Sequence, residues 1–230
     1  MLSPYKLIFF DIDNTLLDHK TAEKKSFLKT LDFYQIKGDQ EEIFLTYKKE
    51  NSFLWKQYEN GKISPADLQR KRWQIIMDKF RTDHLHVKEI SSFYSQTMVE
   101  EIKPLPYALD LCSFLQEKTK LVALTNGFFE VQNKKLKNNN LHSFFSHVVT
   151  SEVAGAAKPH EKIFSHAHGF YPKIRKEEII MVGDNLNADI RGANNYGIDS
   201  CHFDFNLEKD SPLKKEHPSS YTVNCLSELI

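Results

Sequence analysis

The 230-residue sequence has few cysteines, no net charge and no long apolar run. Its three cysteines are far apart and show no CxxC spacing, which favours reduced thiols and a cytoplasmic location. Lys and Arg balance Asp and Glu at 31 each, which argues against a binder of nucleic acid polymers, because such proteins are usually basic. No apolar run approaches the roughly 18 residues of a membrane span. We therefore expect neither a membrane-spanning segment nor, at the N-terminus, a signal peptide.

The most informative segment is a short apolar run that ends in two acids. Leu7-Ile8-Phe9-Phe10 predicts a strand buried on both faces, and Asp11 and Asp13 follow where it ends. A buried acid is costly unless it is paired, and a hard cation such as Mg²⁺ prefers carboxylate oxygen. Alternation along an extended chain puts both acids on the same side. The first hypothesis is two acids with separate tasks facing one metal ion, although the same residues could only end a strand and cap a helix.

Residues from about 20 to 101 are predicted to be entirely helical. Four segments carry apolar residues at three-and-four spacing, namely Thr21–Tyr34, Asp39–Asn60, Ser64–Phe80 and Val87–Ile102. The pair Asn60-Gly61 is typical of a helix end, and Ser64-Pro65 is typical of a helix start. Four helices joined by short loops indicate a small bundle.

After Pro104 and Pro106 the pattern changes to alternating strands and helices. The predicted strands are Leu121–Leu124, Val148-Val149, Ile179–Val182, Asp199–Phe203 and a last short one near Tyr221. The predicted helices are Tyr107–Thr119, Phe129–Asn138, Pro159–His168 and Asn187–Tyr196. This alternation predicts an α/β core with a parallel sheet, into which the helical block is inserted after the first strand. The lysines at 134, 135 and 137 are interpreted as a solvated helix face.

Polar residues follow three of the predicted strands, at the point where each strand ends. In an open parallel sheet, ligands bind at the carboxyl ends of the strands, so these groups should lie close together. One lysine just before a proline can reach the same edge. The candidate residues are Asp11, Asp13, Thr125, Asn126, Gly127, Lys158, Asp184 and Asp189.

The chemistry of these groups is complementary. The acids supply oxygen ligands for Mg²⁺, the Thr125 hydroxyl and nearby backbone N–H groups can hold phosphate oxygens, and Lys158 neutralises charge. Phosphoryl transfer needs positioning and charge compensation above all. Asp11 is the natural nucleophile, and Asp13 can protonate the leaving oxygen and then activate water. Each residue alone could be a turn, cap or surface residue, but their joint occurrence in this order favours a catalytic site.

The segments Asp11-Ile12-Asp13-Asn14-Thr15, Thr125-Asn126-Gly127, Lys158-Pro159 and Gly183-Asp184 with Asp189 resemble the four motifs of the haloacid-dehalogenase-like phosphohydrolases. The resemblance spans nearly the whole chain. It implies a Rossmann-like core (residues 1–15 and 102–230) with sheet order 3-2-1-4-5, and a helical cap (residues 16–101).

The same resemblance implies a role for each site residue. Asp11 would be nucleophile and metal ligand, Asp13 would be acid/base and bind the metal through its backbone carbonyl, and Asp184 would ligate Mg²⁺. Thr125 and Lys158 would bind the phosphoryl group, and Asp189 would support the site. The presence of Asp13 favours phosphate ester hydrolysis over dehalogenation. The phosphonate-cleaving branch, which uses a cap lysine, is excluded only weakly.

The cap segment from Asn51 to Trp73 is similar to that of the pyrimidine 5′-nucleotidases, which implies a nucleoside 5′-monophosphate substrate. Four aromatic residues at helical spacing on one face of the second predicted helix could stack on a base or form the cap's own core. These residues are Phe44, Tyr47, Trp55 and Tyr58. Asn51 and Arg72 could contact a sugar or base edge, or lie at the surface. A phosphatase that acts on a sugar phosphate or another small phosphate ester stays open as an alternative, and so does a non-catalytic binding protein. A monomer or homodimer is expected.

Overall fold

The computed structural model describes residue 2 and residues 4–80, 86–205 and 215–230. The chain divides into two compact units, Met1–Asp18 with Lys103–Ile230, and His19–Ile102, which we call the sheet unit and the helical unit. The family resemblance puts the start of the cap at residue 16. Leu17 instead forms a β-bridge with Pro104, and the N–H of Leu105 donates to the carbonyl of Leu16 at 2.8 Å. These contacts tie both leucines to the sheet unit.

The described residues of the helical unit form four helices, each within two residues of its predicted bounds. They are α1 (His19–Phe33), α2 (Gln40–Glu59), α3 (Pro65–Phe80) and α4 (Val87–Glu101). Asp39 caps α2, since its carboxylate accepts from the N–H groups of two first-turn residues. Gly61, just after α2, has a φ of 68°, a left-handed conformation that favours glycine. The hydroxyl of Ser64 accepts from the N–H of Asp67 at 3.0 Å and caps α3.

Aromatic rings form the interior of the helical unit. Phe27 stacks on Trp73, with ring centroids 5.4 Å apart and ring planes 13° apart. Tyr47 packs 4.6 Å from Phe27, and Tyr94 packs edge-on against Trp73 at 5.3 Å. Phe44 lies 5.3 Å from Phe27. Of the two interpretations of the α2 rings, Phe44 and Tyr47 therefore fit the one in which they form the unit's own core.

Asn51 and Arg72 are buried, so the prediction of a surface position is wrong for both. The side-chain amide of Asn51 donates to Glu23 Oε1 at 3.3 Å. The guanidinium carbon of Arg72 lies 4.9 Å from the centre of the Tyr94 ring, a cation–π contact. Packing of α2 and α3 on the aromatic interior, rather than exposure to water, decides their environment.

The sheet unit contains a parallel sheet with the strand order β3-β2-β1-β4-β5-β6. Its strands are β1 (Leu7–Phe10), β2 (Lys120–Thr125), β3 (His147–Thr150), β4 (Ile179–Gly183), β5 (Asp199–Phe203) and β6 (Tyr221–Val223). This confirms the predicted order 3-2-1-4-5 and places the last strand at the edge, beside β5. Strand β1 is central: Phe10 lies opposite Ala123 of β2 on one side and opposite Val182 of β4 on the other. The strand order reverses direction at β1, so a ligand site is expected at its carboxyl end.

Helices flank the sheet. They are α5 (Ala108–Gln116), α6 (Phe129–Asn138), α7 (Ser151–Ala154), α8 (Glu161–His168) and α9 (Arg191–Tyr196). Helix α7 was not predicted, because four residues are too short to show a helical period. The predicted helix from Asn187 begins instead as a π-helical turn, Leu186–Ile190, before α9. Within the described residues, no helix combines the length and apolar character needed to cross a membrane.

Candidate active site

The segment after β1 is a tight turn that fixes the first acid. The N–H of Asp11 donates to the carbonyl of Val182 at 2.9 Å, so Asp11 continues the pairing of β1 with β4. The N–H of Leu16 then returns to the carbonyl of Ile12 at 3.0 Å. Asn14 has a φ of 62°, and asparagine tolerates this left-handed region better than most residues. The turn therefore holds Asp11 at the carboxyl end of the central strand.

Lys158 joins two of the acids to the end of β2. Its Nζ lies 2.6 Å from Asp11 Oδ1 and 2.6 Å from Asp189 Oδ1, and it donates to the carbonyl of Leu124 at 2.6 Å. Only 1% of the residue is exposed. Burial alone would lower the pKa of Lys158, but the charges of Asp11 and Asp189 outweigh it and raise that pKa. The side chain is thus a permanent cation between two carboxylates.

Asn126 fixes the main chain of Lys158. Its Oδ1 accepts from the N–H of Lys158 at 2.7 Å, and its Nδ2 donates to the carbonyl of Lys158 at 3.0 Å. The sequence assigned Asn126 to the phosphate, together with Thr125. The two contacts give it the further task of tying the Lys158 segment to the end of β2.

Thr15 connects the ends of β1 and β4, a role that its position in the sequence did not indicate. Its buried hydroxyl accepts from the N–H of Asp184 at 3.1 Å and donates to Asp11 Oδ2 at 3.4 Å. The available signal was its place in the first motif, two residues after Asp13, which links it to the site but not to this contact. One hydroxyl thereby sets the spacing of Asp11 and Asp184.

Asp189 is buried under the end of β4. Its Oδ2 accepts from the N–H of Asn185 at 3.0 Å, across the π-helical turn. Gly183 makes room for it, since a Cβ at that position would lie 2.3 Å from Asp189 Oδ2. The glycine before Asp184 is therefore a steric requirement of the site.

Three carboxylates converge at this edge of the sheet. Oxygen atoms of Asp11, Asp184 and Asp189 all lie within 4.8 Å of one another. Burial raises the pKa of Asp11 to about 7, with Lys158 opposing the rise and Asp189 adding to it. Burial, Asp11 and Asp189 raise the pKa of Asp184 well above its usual range. When ionised, three carboxylates and one ammonium carry two net negative charges, so the donor set fits a divalent cation with oxygen ligands.

Thr125 presents a hydroxyl that can donate a hydrogen bond. Its Oγ1 accepts from the N–H of Gly127 at 3.1 Å and from Gln132 Nε2 at 2.8 Å. A hydroxyl offers two acceptor positions and one proton. In the part of the chain that the structure describes, the Thr125 proton has no recorded acceptor. It is therefore available to an anion.

The carboxylate of Asp13 stands apart from the three converging acids. Its two oxygens lie 2.8 and 3.1 Å from Lys135 Nζ, and Oδ2 also accepts from Gln132 Nε2 at 2.9 Å. The interpretation of residue 135 as part of a solvated helix face is therefore wrong, because Lys135 is only 2% exposed. Lys134 and Lys137 are exposed, as expected. Residues 132 and 135 are three apart on α6, a spacing that places both on one helix face and was the available signal.

Comparisons with known proteins identify the relatives of this chain. Residues 5–197 match the family model of the haloacid dehalogenase-like hydrolases. The chain is 33% identical to the pyrimidine 5′-nucleotidase PynA of Streptococcus pneumoniae, covering 98% of this chain and 97% of PynA. It is 31% identical to the pyrimidine 5′-nucleotidase YjjG of Escherichia coli, covering 96% and 95%. Glyceraldehyde 3-phosphate and N-acylneuraminate-9-phosphatases are also among its relatives.

A solved structure extends the likeness to three dimensions. The HAD-type hydrolase YfnB of Bacillus subtilis, determined bound to magnesium, superposes with a TM-score of 0.84 at 26% sequence identity. The match covers 98% of this chain and 96% of the YfnB chain. The whole chain is thus similar to a single hydrolase, in both the sheet unit and the helical unit.

Proposed function

Because the chain belongs to the haloacid dehalogenase-like hydrolases, we propose that it is a magnesium-dependent phosphomonoesterase that forms an aspartyl-phosphate on Asp11. The observation that carries the proposal is the convergence of Asp11, Asp184 and Asp189 around Lys158 at the carboxyl edge of the sheet. The hydroxyl of Thr125 at the end of the neighbouring strand adds a hydrogen-bond donor. As part of the proposal, the sheet unit, which includes Leu16 and Leu17, is the catalytic core, and the helical unit is the cap.

In the first step, a carboxylate oxygen of Asp11 forms a bond to phosphorus while the bond from phosphorus to the ester oxygen breaks. Asp13 donates a proton to that leaving oxygen, so the alcohol departs neutral. Lys158 and the Thr125 proton hold the phosphoryl oxygens and compensate their charge. The contact of Lys158 with Asp11 supports this assignment, because it places the ammonium beside the carboxylate that receives the phosphoryl group.

In the second step, water attacks the phosphorus of the aspartyl-phosphate. Asp13, now a carboxylate, takes a proton from that water. The bond between Asp11 and phosphorus breaks, which releases inorganic phosphate and restores both acids. The two steps divide the work between a nucleophile in an acid cluster and an acid/base paired with Lys135.

The acid cluster would hold Mg²⁺ through Asp11 and Asp184, with Asp189 beside them. The backbone carbonyl of Asp13 is the further ligand that the family resemblance implies. When bound, the ion supplies positive charge against the phosphoryl oxygens. The raised pKa values of Asp11 and Asp184 support this assignment, because a bound cation would offset the cost of burying their charges.

For the substrate we propose a nucleoside 5′-monophosphate, with a preference for pyrimidines. Two relatives at 31% and 33% identity that carry this activity in their names support the assignment. A sugar phosphate is the second candidate, because sugar phosphatases are also among the relatives.

All three cysteines are free, which supports the prediction of a reducing, cytoplasmic compartment.

A panel of phosphate esters tests this function. Release of inorganic phosphate would be measured with Mg²⁺ for pyrimidine and purine nucleoside 5′-monophosphates, glyceraldehyde 3-phosphate and N-acetylneuraminate 9-phosphate. We expect the highest kcat/KM for a pyrimidine nucleotide. A higher value for a sugar phosphate would transfer the assignment to the second candidate. No phosphate release from any ester of the panel would contradict both substrate candidates and leave another small phosphate ester or a non-catalytic binding protein.

A further inference from the structure

Lys135 makes a contact that neither the motifs nor the family resemblance assigns. Its ammonium lies within 3.1 Å of both carboxylate oxygens of Asp13, in a side chain that is 3% exposed. A lysine is rarely buried unless it is paired, because removing its charge from water is costly. Two contacts to one carboxylate restrict rotation of the Asp13 side chain more than one contact would.

Gln132 adds a second restraint on the same carboxylate. Its amide nitrogen has two protons, and it donates one to Asp13 Oδ2 at 2.9 Å and one to Thr125 Oγ1 at 2.8 Å. The residue is fully buried, so the amide cannot exchange these partners for water. Gly127 leaves the space that this arrangement needs, since a Cβ there would lie 2.2 Å from Gln132 Nε2.

We propose that Lys135 and Gln132 are positioning residues that hold the Asp13 carboxylate at a fixed distance from the Thr125 hydroxyl. The inference rests on the proposed function, in which Thr125 binds the phosphoryl group and Asp13 protonates the leaving oxygen. One amide touches both residues, so it fixes the acid/base relative to the phosphate site. The Asp13 side chain retains 24% exposure, which leaves it within reach of a substrate oxygen.

This role predicts a loss that depends on the leaving group. The alcohol of a nucleotide leaves poorly without a proton, whereas p-nitrophenolate leaves without one. The ratio kcat/KM reports the steps up to the first irreversible one, here transfer of the phosphoryl group to Asp11. A misplaced Asp13 should therefore lower kcat/KM for a nucleotide and spare kcat/KM for p-nitrophenyl phosphate.

The experiment compares uridine 5′-monophosphate with p-nitrophenyl phosphate in Lys135→Met and Gln132→Leu. We expect kcat/KM for the nucleotide to fall about 100-fold in Lys135→Met, mostly in kcat, and about 10-fold in Gln132→Leu. We expect the value for p-nitrophenyl phosphate to fall less than about threefold. Lys137→Met, which removes an exposed lysine from the same helix, should leave both values unchanged. Lys135→Arg, which can still reach both oxygens, should retain more nucleotide activity than Lys135→Met.

Equal losses on the two substrates, or no loss on either, would overturn the positioning role while the phosphatase activity stands. If the unaltered enzyme hydrolyses neither substrate, the proposed function itself fails, so the two failures are distinguishable. Should Lys135→Met not fold, Gln132→Leu carries the same comparison. Failure of both variants to fold would make the two residues structural and would also overturn the proposal.

Discussion

The sheet unit and the helical unit bury polar groups in different ways. At the sheet edge, the buried ammonium groups of Lys158 and Lys135 contact aspartates at 2.6–3.1 Å. Buried polar atoms without a hydrogen-bond partner among the described residues occur in both units, and Gln132 Oε1 is one at the sheet edge. In the helical unit they lie in or beside the packed aromatic rings, without an aspartate–lysine pair of this kind among the described buried residues. The atoms of the helical unit are Ser26 Oγ, Tyr47 OH, Asn51 Oδ1, Arg72 Nε and Trp73 Nε1. Paired charges are retained where chemistry needs them, whereas polar atoms among packed rings only cost stability.

The two units should therefore respond differently to substitution. Substitutions at the sheet edge should reduce activity, by amounts that follow how directly each residue contacts the reacting atoms. In the helical unit, substitutions that remove only an unpartnered polar atom and keep the shape of the side chain should change stability by little and leave activity unchanged. Four measurements test this difference.

The largest effect is expected for Asp11→Asn. The amide keeps the size of the side chain but removes the nucleophile, so kcat with Mg²⁺ should fall on the order of 10⁴-fold or more. Asp110→Asn, which removes an exposed carboxylate from α5 of the same unit, should keep full activity. Phosphate release at saturating substrate measures both. Unchanged turnover in Asp11→Asn would discard the proposed nucleophile.

The next effect concerns the metal. Treatment with EDTA should abolish phosphate release, and added Mg²⁺ should restore it. Asp184→Asn should raise the Mg²⁺ concentration for half-maximal activity at least about 10-fold, because the amide lacks the charge of the carboxylate. A titration of activity with Mg²⁺ measures the shift. Full activity after exhaustive chelation would contradict the assignment of the acid cluster to a cation.

A moderate effect is expected for Thr15→Val. The substitution keeps the shape of the side chain but removes the hydroxyl that joins Asp11 and the N–H of Asp184. The free energy of unfolding should fall by about 1–3 kcal/mol, and kcat should fall about 10-fold as the acids lose their spacing. Thr15→Ser, which keeps the hydroxyl, should restore most of both. Equal behaviour of the two variants would show that the hydroxyl has no such role.

The smallest effect is expected in the helical unit, for Tyr47→Phe. Among the described residues, the buried Tyr47 oxygen makes no hydrogen bond of good geometry, and burial raises the pKa of Tyr47 to about 12, with Arg72 opposing the rise. Removal of the Tyr47 hydroxyl should change the free energy of unfolding by less than about 1 kcal/mol and leave kcat unchanged. Thermal unfolding and phosphate release measure the two quantities. A large loss of activity would erase the difference between the two units.

The order and position of the main elements could be predicted from the sequence, because local rules set them. Continuous apolar runs predicted the buried strands β1, β2 and β4, and three-and-four spacing predicted α1 to α4. The predictions failed where residue type and spacing along the chain give no distinct signal. Helix α7 is too short to show a period, and the π-helical turn at Leu186–Ile190 looks like ordinary helix in sequence.

The candidate site was predicted as a set of residues but not as a network of contacts. Asp11, Lys158, Asp184 and Asp189 follow strands or precede a helix, so topology alone brings them together. Thr15, Gln132 and Lys135 could not be assigned in the same way. A lysine among other lysines on α6 is indistinguishable from its exposed neighbours until the helix is packed against the sheet.

The sequence by itself determined the alternation of strands and helices, the acids at the strand ends and the family resemblance, because each depends on residue type and spacing along the chain. The tertiary structure alone decided which charges meet. Asp13 pairs with Lys135 across 122 positions of sequence, and Asp11 pairs with Lys158 across 147. Such pairs form only when the packing of β1, β2 and α6 excludes water from them, and no local pattern records that exclusion.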